Sequence, residues 1–136
     1  MNLIFADTFY FLALVNRDDA AHSRARTLSD ELTGPILTTA WVLTEVADAM
    51  AGPSLRQIFL HLLETLKADP NCTIVPPTEA LFDQGVKLYG DRPDKDWSLT
   101  DCTSFVVMRQ HGIVRALRRI ATSSKQDSRH YSGKTV

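Results

Sequence analysis

Short apolar runs alternate with longer helical patterns along this chain, and that order constrains the fold more than any other feature. The runs are NLIFA at residues 2–6, PILTT at 35–39 and CTIVPP at 72–77, and Ile113-Val114 is predicted to begin a fourth. A strand that follows a helical crossover pairs in parallel with a neighbouring strand of the same sheet. The sequence therefore predicts an α/β protein with a parallel β-sheet flanked by helices.

Six segments have the apolar spacing of helices. Thr38 or Thr39 is predicted to cap the third helix and Thr78 the fifth, because threonine hydroxyls accept the unpaired N–H groups of a first turn. The fourth segment has an apolar stripe from Leu55 to Leu66, typical of an amphipathic helix. The segments read TFYFLALVN, DDAAHSRARTLSDEL, AWVLTEVADAM, SLRQIFLHLLETLKAD, TEALFDQGVKLYG and SLTDCTSFVVMRQHG.

The chain has the size and composition of one soluble domain. It has 136 residues, of which 44% are hydrophobic, enough for a single core. Its longest apolar runs fall far short of the about 20 residues that a membrane span needs, and no basic segment precedes the first of them. Cys72 and Cys102 are too far apart for a CxxC metal or disulfide pattern. We expect a cytoplasmic protein that does not enter a membrane.

Charge is divided unevenly along the chain, although its net value is only −1. Residues 1–108 contain 8 Lys and Arg against 15 Asp and Glu, whereas residues 109–136 contain 7 Lys and Arg and only Asp127. A basic end of this kind is more often a solvated tail than a dedicated RNA-binding arm. We therefore expect the basic segment to be a solvated tail.

Asp7 is a lone carboxylate between the first apolar run and the first helical segment. Burying a charge without a partner costs several kcal/mol, on the order of the penalty for an unpaired ion, so this position needs an explanation. Ligand sites of parallel sheets lie beyond the carboxyl ends of the strands, where Asp7 is expected. The alternative is that Asp7 only caps the helix that starts at Thr8.

Glu45 is predicted to lie on the apolar side of the third helix. Trp41, Val42 and Ala49 are its neighbours one helical turn away. A single charge there requires either a ligand role or hydrogen bonds that satisfy a buried acid. Asp48, one turn further on, either shares the site or faces solvent, and we favour solvent.

Asp101 lies in the first turn of the sixth helical segment. Phe105 and Met108 follow on the same side, which favours a position facing the core. Ser98 offers another explanation, because S-x-x-D is also a capping-box pattern. Taken alone, the pattern favours a capping role for Asp101. Asp96 is the nearest acid of the preceding loop and the best further candidate there.

These acids together predict a site for a divalent cation. Carboxylates from three separate helices gather at one sheet edge only if a cation neutralises them, and oxygen ligands favour Mg²⁺ or Mn²⁺ over zinc. The histidines His22, His61 and His111 are isolated and have no ligand spacing.

Three stretches of the chain resemble the PIN-domain family, and specifically the VapC-type toxins of bacterial toxin–antitoxin pairs. They read FADTFYFLALVNRDDAAHSRA, ILTTAWVLTEVADAM and DKDWSLTDCTSFVVMRQHGI, the last being the most diagnostic. The resemblance covers residues 1–117 and implies a three-layer PIN-like fold. It further implies an endoribonuclease that uses Mg²⁺ or Mn²⁺ to cleave RNA, a homodimer, and a cognate antitoxin protein that holds it inactive.

By position, Asp7, Glu45 and Asp101 match the acidic metal ligands and catalytic acids of this family, with Asp96 as a further candidate ligand. Thr8 and Ser98 match neighbouring polar positions that orient the acids or a water molecule.

The chain departs from the family pattern after Leu117. A final strand and a fourth acidic position are expected there, but the sequence reads RRIATSSKQDSRHYSGKTV, with Ile120 in place of the acid. We hypothesise a single-nucleotide deletion near codon 117, because an out-of-phase reading permits the family-like TADRHFEQAGFTALLGK. Residues 118–136 are then a disordered basic tail and activity is reduced. The alternative function is a catalytically inactive PIN domain that binds an antitoxin or RNA.

Overall fold

A computed structural model of the chain describes residues 3–31, 34–114 and 116–117. The strand and the fourth acidic position expected after Leu117, and the basic tail at 118–136, lie outside these described residues. The elements, in chain order, are β1 (Ile4–Ala6), α1 (Thr8–Val15), α2 (His22–Glu31), β2 (Ile36–Thr39), α3 (Ala40–Ala49), α4 (Arg56–Ala68), β3 (Cys72–Val75), α5 (Glu79–Asp91), α6 (Leu99–Gln110) and β4 (Ala116–Leu117).

The four described strands form one parallel sheet in the order β3-β2-β1-β4. Phe5 of β1 pairs with Leu37 on one side and with Ala116 on the other, so β1 lies inside the sheet. The predicted α/β fold with a parallel sheet flanked by helices is confirmed. Because the strands are parallel, the residues that follow β1 and β2 leave the sheet at the same edge.

The fourth strand begins later than predicted. Ile113 lies in the turn that ends α6, because its N–H donates a 2.8 Å hydrogen bond to the carbonyl of Met108. Gly112 makes this possible with a φ of +65°, a backbone conformation that glycine adopts without steric cost. The apolar character of Ile113 reflects its burial in the core rather than a strand.

The core lies between the sheet and its helices. All of β1 is buried, and α6 is buried along seven consecutive residues, Cys102–Met108, so this helix is covered on most sides. In α1, the rings of Tyr10 and Phe11 pack edge to face at 5.4 Å between centroids. Burying a large apolar side chain stabilises the fold by about 1.5–3 kcal/mol, so β1, α1 and α6 carry much of the stability.

A glycine sets the contact between α5 and α6. A Cβ atom added at Gly85 would lie 2.5 Å from Cγ2 of Thr103. Thr103 is fully buried, and its hydroxyl donates to the carbonyl of Thr100, so its side chain is fixed. Only glycine therefore allows the two helices to approach this closely.

The two threonines at the end of β2 have different tasks. The Thr39 hydroxyl accepts the N–H of Val42 and caps α3, as one of the two predicted alternatives. The Thr38 hydroxyl instead donates a 2.8 Å hydrogen bond to the carbonyl of Ala6. That bond ties the carboxyl end of β2 to the carboxyl end of β1, directly beside Asp7.

The apolar stripe of α4 is only partly buried. Leu62 and Leu66 belong to the core, whereas Leu55 and Ile58 are 39% and 41% exposed. The helix packs on α3 and on β3, the edge strand, which leaves its N-terminal half without cover in the described part of the chain. Within residues 3–31, 34–114 and 116–117, no helix combines the length and apolar character of a membrane span.

Candidate active site

Asp7 begins α1 immediately after β1 ends. Its Oδ1 accepts a 3.2 Å hydrogen bond from the backbone N–H of Tyr10, so the carboxylate caps the helix. Its side chain is half-buried at the carboxyl edge of the sheet. The predicted capping role is confirmed, and the ligand role stays a prediction because a carboxylate has about four lone-pair sites and can both cap and ligate.

Glu45 is joined to the start of α1. The hydroxyl of Thr8 donates a 2.6 Å hydrogen bond to Oε1 of Glu45, between residues 37 positions apart in sequence. Glu45 is half-buried on α3, beside the buried Val46. This bond explains why an acid is tolerated on this side of the helix. A hydrogen bond to a charged group stabilises by about 1.5–3 kcal/mol, which offsets the cost of partly burying the carboxylate.

Asp101 and Ser98 form a capping box at the start of α6. The backbone N–H of Ser98 donates to Oδ2 of Asp101 at 2.9 Å, and the Ser98 hydroxyl accepts the N–H of Asp101 at 3.0 Å. The capping role predicted for Asp101 is confirmed. Asp96 is exposed in the loop before the helix, and Asp48 is exposed on α3, as expected.

The topology directs the first turns of three helices to one edge of the sheet. α1 and α3 start where β1 and β2 end, at the carboxyl edge. α6 is followed by the short segment 111–115 and then by β4, which is parallel to β1. Its C-terminal end therefore lies near the start of β4, and its first turn points towards the carboxyl edge. Asp7, Glu45 and Asp101 belong to these three helices.

The donor atoms at this edge are those that Mg²⁺ and Mn²⁺ prefer. They are carboxylate and hydroxyl oxygens, without a sulfur or imidazole ligand. The described residues contain no group of three or more His, Cys, Asp and Glu side chains close enough to hold a metal ion. The structure thus brings Glu45 to Thr8, the neighbour of Asp7, and does not join Asp101 to them in a ready three-acid group. The metal-ligand set stays a prediction.

Cys102 follows Asp101 but has a different chemistry. Burial raises the pKa of the Cys102 thiol to about 11, and the charge of Asp101 contributes in the same direction. A thiol with this pKa is protonated at neutral pH and is a poor nucleophile. Cys102 is therefore a poor candidate for a nucleophile at this edge.

Sequence reasoning missed how the loop before α6 is held. Trp97 is buried against Phe105, with 4.8 Å between ring centroids, and the cations of Arg92 and Lys95 lie 5.4 Å and 5.8 Å from its ring. A hydrogen bond from Arg92 lowers the pKa of the Asp94 carboxyl and fixes the same loop. A tryptophan flanked by cations in DRPDKDWS was the available signal.

A groove lies between α3 and α4. It has a volume of about 410 Å³. Phe59 and Leu60 supply its apolar wall on α4, and Asp48 and Arg56 place opposite charges on its rim. A groove with apolar walls and charged rims fits an amphipathic segment of a partner protein.

The chain is similar to a curated toxin nuclease over most of its length. It is 28% identical over 124 residues to the 23S rRNA-specific endonuclease VapC20 of Mycobacterium tuberculosis, covering 84% of this chain and 86% of that protein.

Two solved structures resemble the fold. The crystal structure of Mycobacterium tuberculosis VapC20, described as a sarcin-ricin loop cleaving toxin, matches with a TM-score of 0.76 and 26% identity, over 83% of this chain and 86% of that one. FitAcB from Neisseria gonorrhoeae matches with a TM-score of 0.62 and 17% identity, over 95% and 91%, and supports the fold alone. The PIN domain family model matches residues 4–122. The chain therefore belongs to the PIN-domain family, as its sequence motifs predicted.

Proposed function

We propose that this chain is a divalent-metal-dependent endoribonuclease of a toxin–antitoxin pair. Membership of the PIN-domain family supports a nuclease, and the relative VapC20 is named as an endonuclease specific for 23S rRNA. The observation that carries the proposal is the hydrogen bond from Thr8 to Glu45. It holds a second acid beside the helix start that Asp7 caps, at the sheet edge where ligands bind.

Asp7, Glu45 and Asp101 are the proposed ligands of Mg²⁺ or Mn²⁺, and Asp96 is a further candidate from the neighbouring loop. When bound, such an ion lowers the pKa of a water molecule and stabilises negative charge on a phosphate. The three acids supply the negative charge that binds the cation, and they orient the attacking water toward the phosphodiester. The hydroxyl of Thr8 fixes the carboxylate of Glu45, and the backbone N–H of Ser98 fixes that of Asp101, so both act as positioning residues.

RNA is the proposed substrate, and a cognate antitoxin the proposed protein partner. The specificity printed for VapC20 makes 23S rRNA, and its sarcin-ricin loop, the first substrates to test. The groove between α3 and α4 is a candidate site for the antitoxin. We therefore propose that the protein acts in the cytoplasm, together with both partners.

The test is cleavage of a sarcin-ricin loop RNA by the full chain, with Mg²⁺ or Mn²⁺ and with a chelator. Asp101→Asn and Glu45→Gln should lose at least about 100-fold in rate, since each removes a charge that the metal requires. Asp48→Asn is the matched control, because this exposed acid is one turn from Glu45 on the same helix. Cleavage that survives Glu45→Gln and Asp101→Asn, or that proceeds in the chelator, contradicts the proposal.

A second candidate function is an inactive PIN domain that binds an antitoxin or RNA. It is favoured by Ile120, which stands where the family pattern has an acid. RNA that stays intact while the antitoxin binds with normal affinity would support this candidate. Antitoxin binding is then expected to weaken in Leu60→Glu, in the wall of the groove, and not in Asp7→Asn.

A further inference from the structure

Ser104 is a buried serine in the middle of α6. It is only 6% exposed, and its neighbours Thr103 and Phe105 are buried as well. Its hydroxyl makes no hydrogen bond with any residue in the described ranges 3–31, 34–114 and 116–117. Most buried hydroxyls have a partner, because a buried polar group without one costs free energy. A water molecule or a ligand is therefore the expected partner of this hydroxyl.

The neighbouring Thr103 shows what a purely structural hydroxyl does in this helix. It is fully buried, and its hydroxyl donates a 2.8 Å hydrogen bond to the carbonyl of Thr100. Serine and threonine commonly satisfy their hydroxyls in this way inside helices. Ser104 makes no such bond within the described part of the chain. The two adjacent hydroxyls of α6 therefore differ in their surroundings.

Helix geometry sets the direction of Ser104 around α6. The side chain of Thr103 faces Gly85 of α5, and each residue turns the helix by about 100°, so Ser104 is turned away from this contact. Ser104 lies three residues after Asp101 and four before Met108, and residues at these spacings share one side of a helix. Ser104 therefore lies on the Asp101 side of α6, one turn further along and more deeply buried.

The spacing of Ser104 and Asp101 suits one bridging water molecule. Cβ atoms three residues apart in a helix are separated by about 5–6 Å. Oδ2 of Asp101 accepts the backbone N–H of Ser98 at 2.9 Å, and a carboxylate can accept about four hydrogen bonds, so it can take a further donor. Ordered water that joins two buried polar groups is nearly as favourable as a direct hydrogen bond.

We propose that Ser104 is a positioning residue of the nuclease site and holds the Asp101 carboxylate through one bridging water molecule. The inference rests on the proposed function, because it treats Asp101 as a ligand of Mg²⁺ or Mn²⁺. The backbone N–H of Ser98 and the bridging water then fix the carboxylate from two directions. Removing a group that orients a metal ligand typically costs about 10–100-fold in metal affinity or activity.

Calorimetric titration of the full chain with Mn²⁺ tests the proposal without an RNA cleavage assay. Ser104→Ala removes the hydroxyl and places a good helix former in α6, so the variant should fold. Its dissociation constant for Mn²⁺ should rise about tenfold or more. Ser104→Cys keeps nearly the same side-chain volume but offers only a weak donor, and it should lose affinity as well. Circular dichroism checks that each variant is folded.

Thr103→Val is the matched control. It removes the other buried hydroxyl of α6 while keeping the shape of the side chain, and Thr103 faces α5 rather than the Asp101 side. Its affinity for Mn²⁺ should equal that of the wild type. Asp101→Asn is the reference for loss of the ligand itself, and its affinity should fall at least as far as that of Ser104→Ala.

The pattern of Mn²⁺ affinities decides the role of Ser104. Weaker binding by both Ser104 variants, with Thr103→Val unchanged, supports the proposal. Unchanged binding by Ser104→Ala overturns it. A loss in Ser104→Ala that Ser104→Cys restores also overturns it, because side-chain volume rather than the hydroxyl is then responsible. An equal loss in Thr103→Val overturns it too, since the cause is then a general loosening of α6.

Failure of the proposed function gives a different pattern. If the wild type binds no Mn²⁺, or if Asp101→Asn binds it as tightly as the wild type, Asp101 is not a ligand and both proposals fall. If Asp101→Asn loses Mn²⁺ binding and RNA cleavage while Ser104→Ala keeps both, only the role of Ser104 is overturned.

Discussion

The hydroxyl of Thr8 lies 2.6 Å from Oε1 of Glu45 and donates a hydrogen bond to it. Thr8 follows the residue that caps α1, and Glu45 lies in the second turn of α3, so one short bond links the helices that leave two adjacent parallel strands. The link stabilises the half-buried carboxylate of Glu45 and holds it at the start of α1, the helix that Asp7 caps. The packing of α1 on α3 and the position of Glu45, a proposed metal ligand, therefore depend on the same hydrogen bond.

Thr8→Val should destabilise the protein by about 1–3 kcal/mol, because it leaves a half-buried carboxylate without its donor while keeping the side-chain shape. RNA cleavage should fall with it, since Glu45 is no longer held. Urea denaturation measures the first effect and a cleavage assay the second. Thr44→Val is the control: its exposed hydroxyl bonds only to the carbonyl of Ala40 within α3. Equal losses in both variants would contradict the role of Thr8.

Ser98→Ala should cost about 1 kcal/mol of stability, the usual value of a helix cap. Thr78→Ala removes the equivalent cap of α5 and should cost a similar amount. Neither variant should reduce cleavage at temperatures where both are folded, because the contact that orients Asp101 comes from the backbone N–H of residue 98, which Ser98→Ala keeps. Unfolding curves and cleavage rates of the two variants check this, and a loss of cleavage by folded Ser98→Ala alone would contradict it.

Asp7→Asn should weaken binding of Mn²⁺ or Mg²⁺ measured by calorimetry, because it removes one negative charge from the proposed site. Asparagine is as good a helix cap as aspartate, so the stability of α1 should be retained. Asp83→Asn removes an exposed acid of α5 and should bind the metal as the wild type does. Identical titrations for wild type and Asp7→Asn would count against a metal site at this edge.

Stability should fall as the pH rises from about 9 to about 11, partly through Cys102. Its pKa is raised from 9.0 to about 11 on folding, so the folded state binds the thiol proton more tightly. The protonated Cys102 thiol therefore contributes its full stabilisation below pH 9, and this stabilisation is lost as the pH rises through about 11. The free energy of unfolding changes by about 2–3 kcal/mol.

The comparison with Cys102→Ala isolates that group. Burial also raises the pKa values of Tyr10 and Cys72, so the wild-type curve alone is a sum. Urea unfolding at several pH values should give a flatter alkaline decline for the variant. Parallel curves for the two proteins would show that the Cys102 thiol does not titrate as its burial requires.

Replacement by alanine should change the stability of the protein in opposite directions at the two glycines of α5, Gly85 and Gly90. Gly85→Ala places a Cβ atom against the fixed Thr103 side chain and should destabilise by about 1–3 kcal/mol. A Cβ atom at Gly90 meets nothing within 4 Å, so Gly90→Ala should stabilise the protein by up to about 1 kcal/mol. Thermal unfolding measures both. A loss at Gly90 or a gain at Gly85 would contradict the packing of α5.

Local features of the site were readable in the sequence. The S-x-x-D pattern predicted the capping box of Ser98 and Asp101, and Asp7 was placed correctly at the start of α1. These contacts join residues three positions apart, so backbone geometry alone brings them together. The buried side of α4 was predicted less well, because Leu55 and Ile58 fit the apolar spacing but lie beyond the cover of the sheet.

The sequence by itself determined the kinds of element, their order, the caps of the helices and the family motifs, since these depend on contacts within a few residues. Only the tertiary structure decided the strand order β3-β2-β1-β4, the bond from Thr8 to Glu45 and the exposure of Phe82, Val86 and Tyr89 on α5. Such contacts join residues far apart in sequence. Their distances are set by how whole strands and helices pack, and no local pattern records that packing.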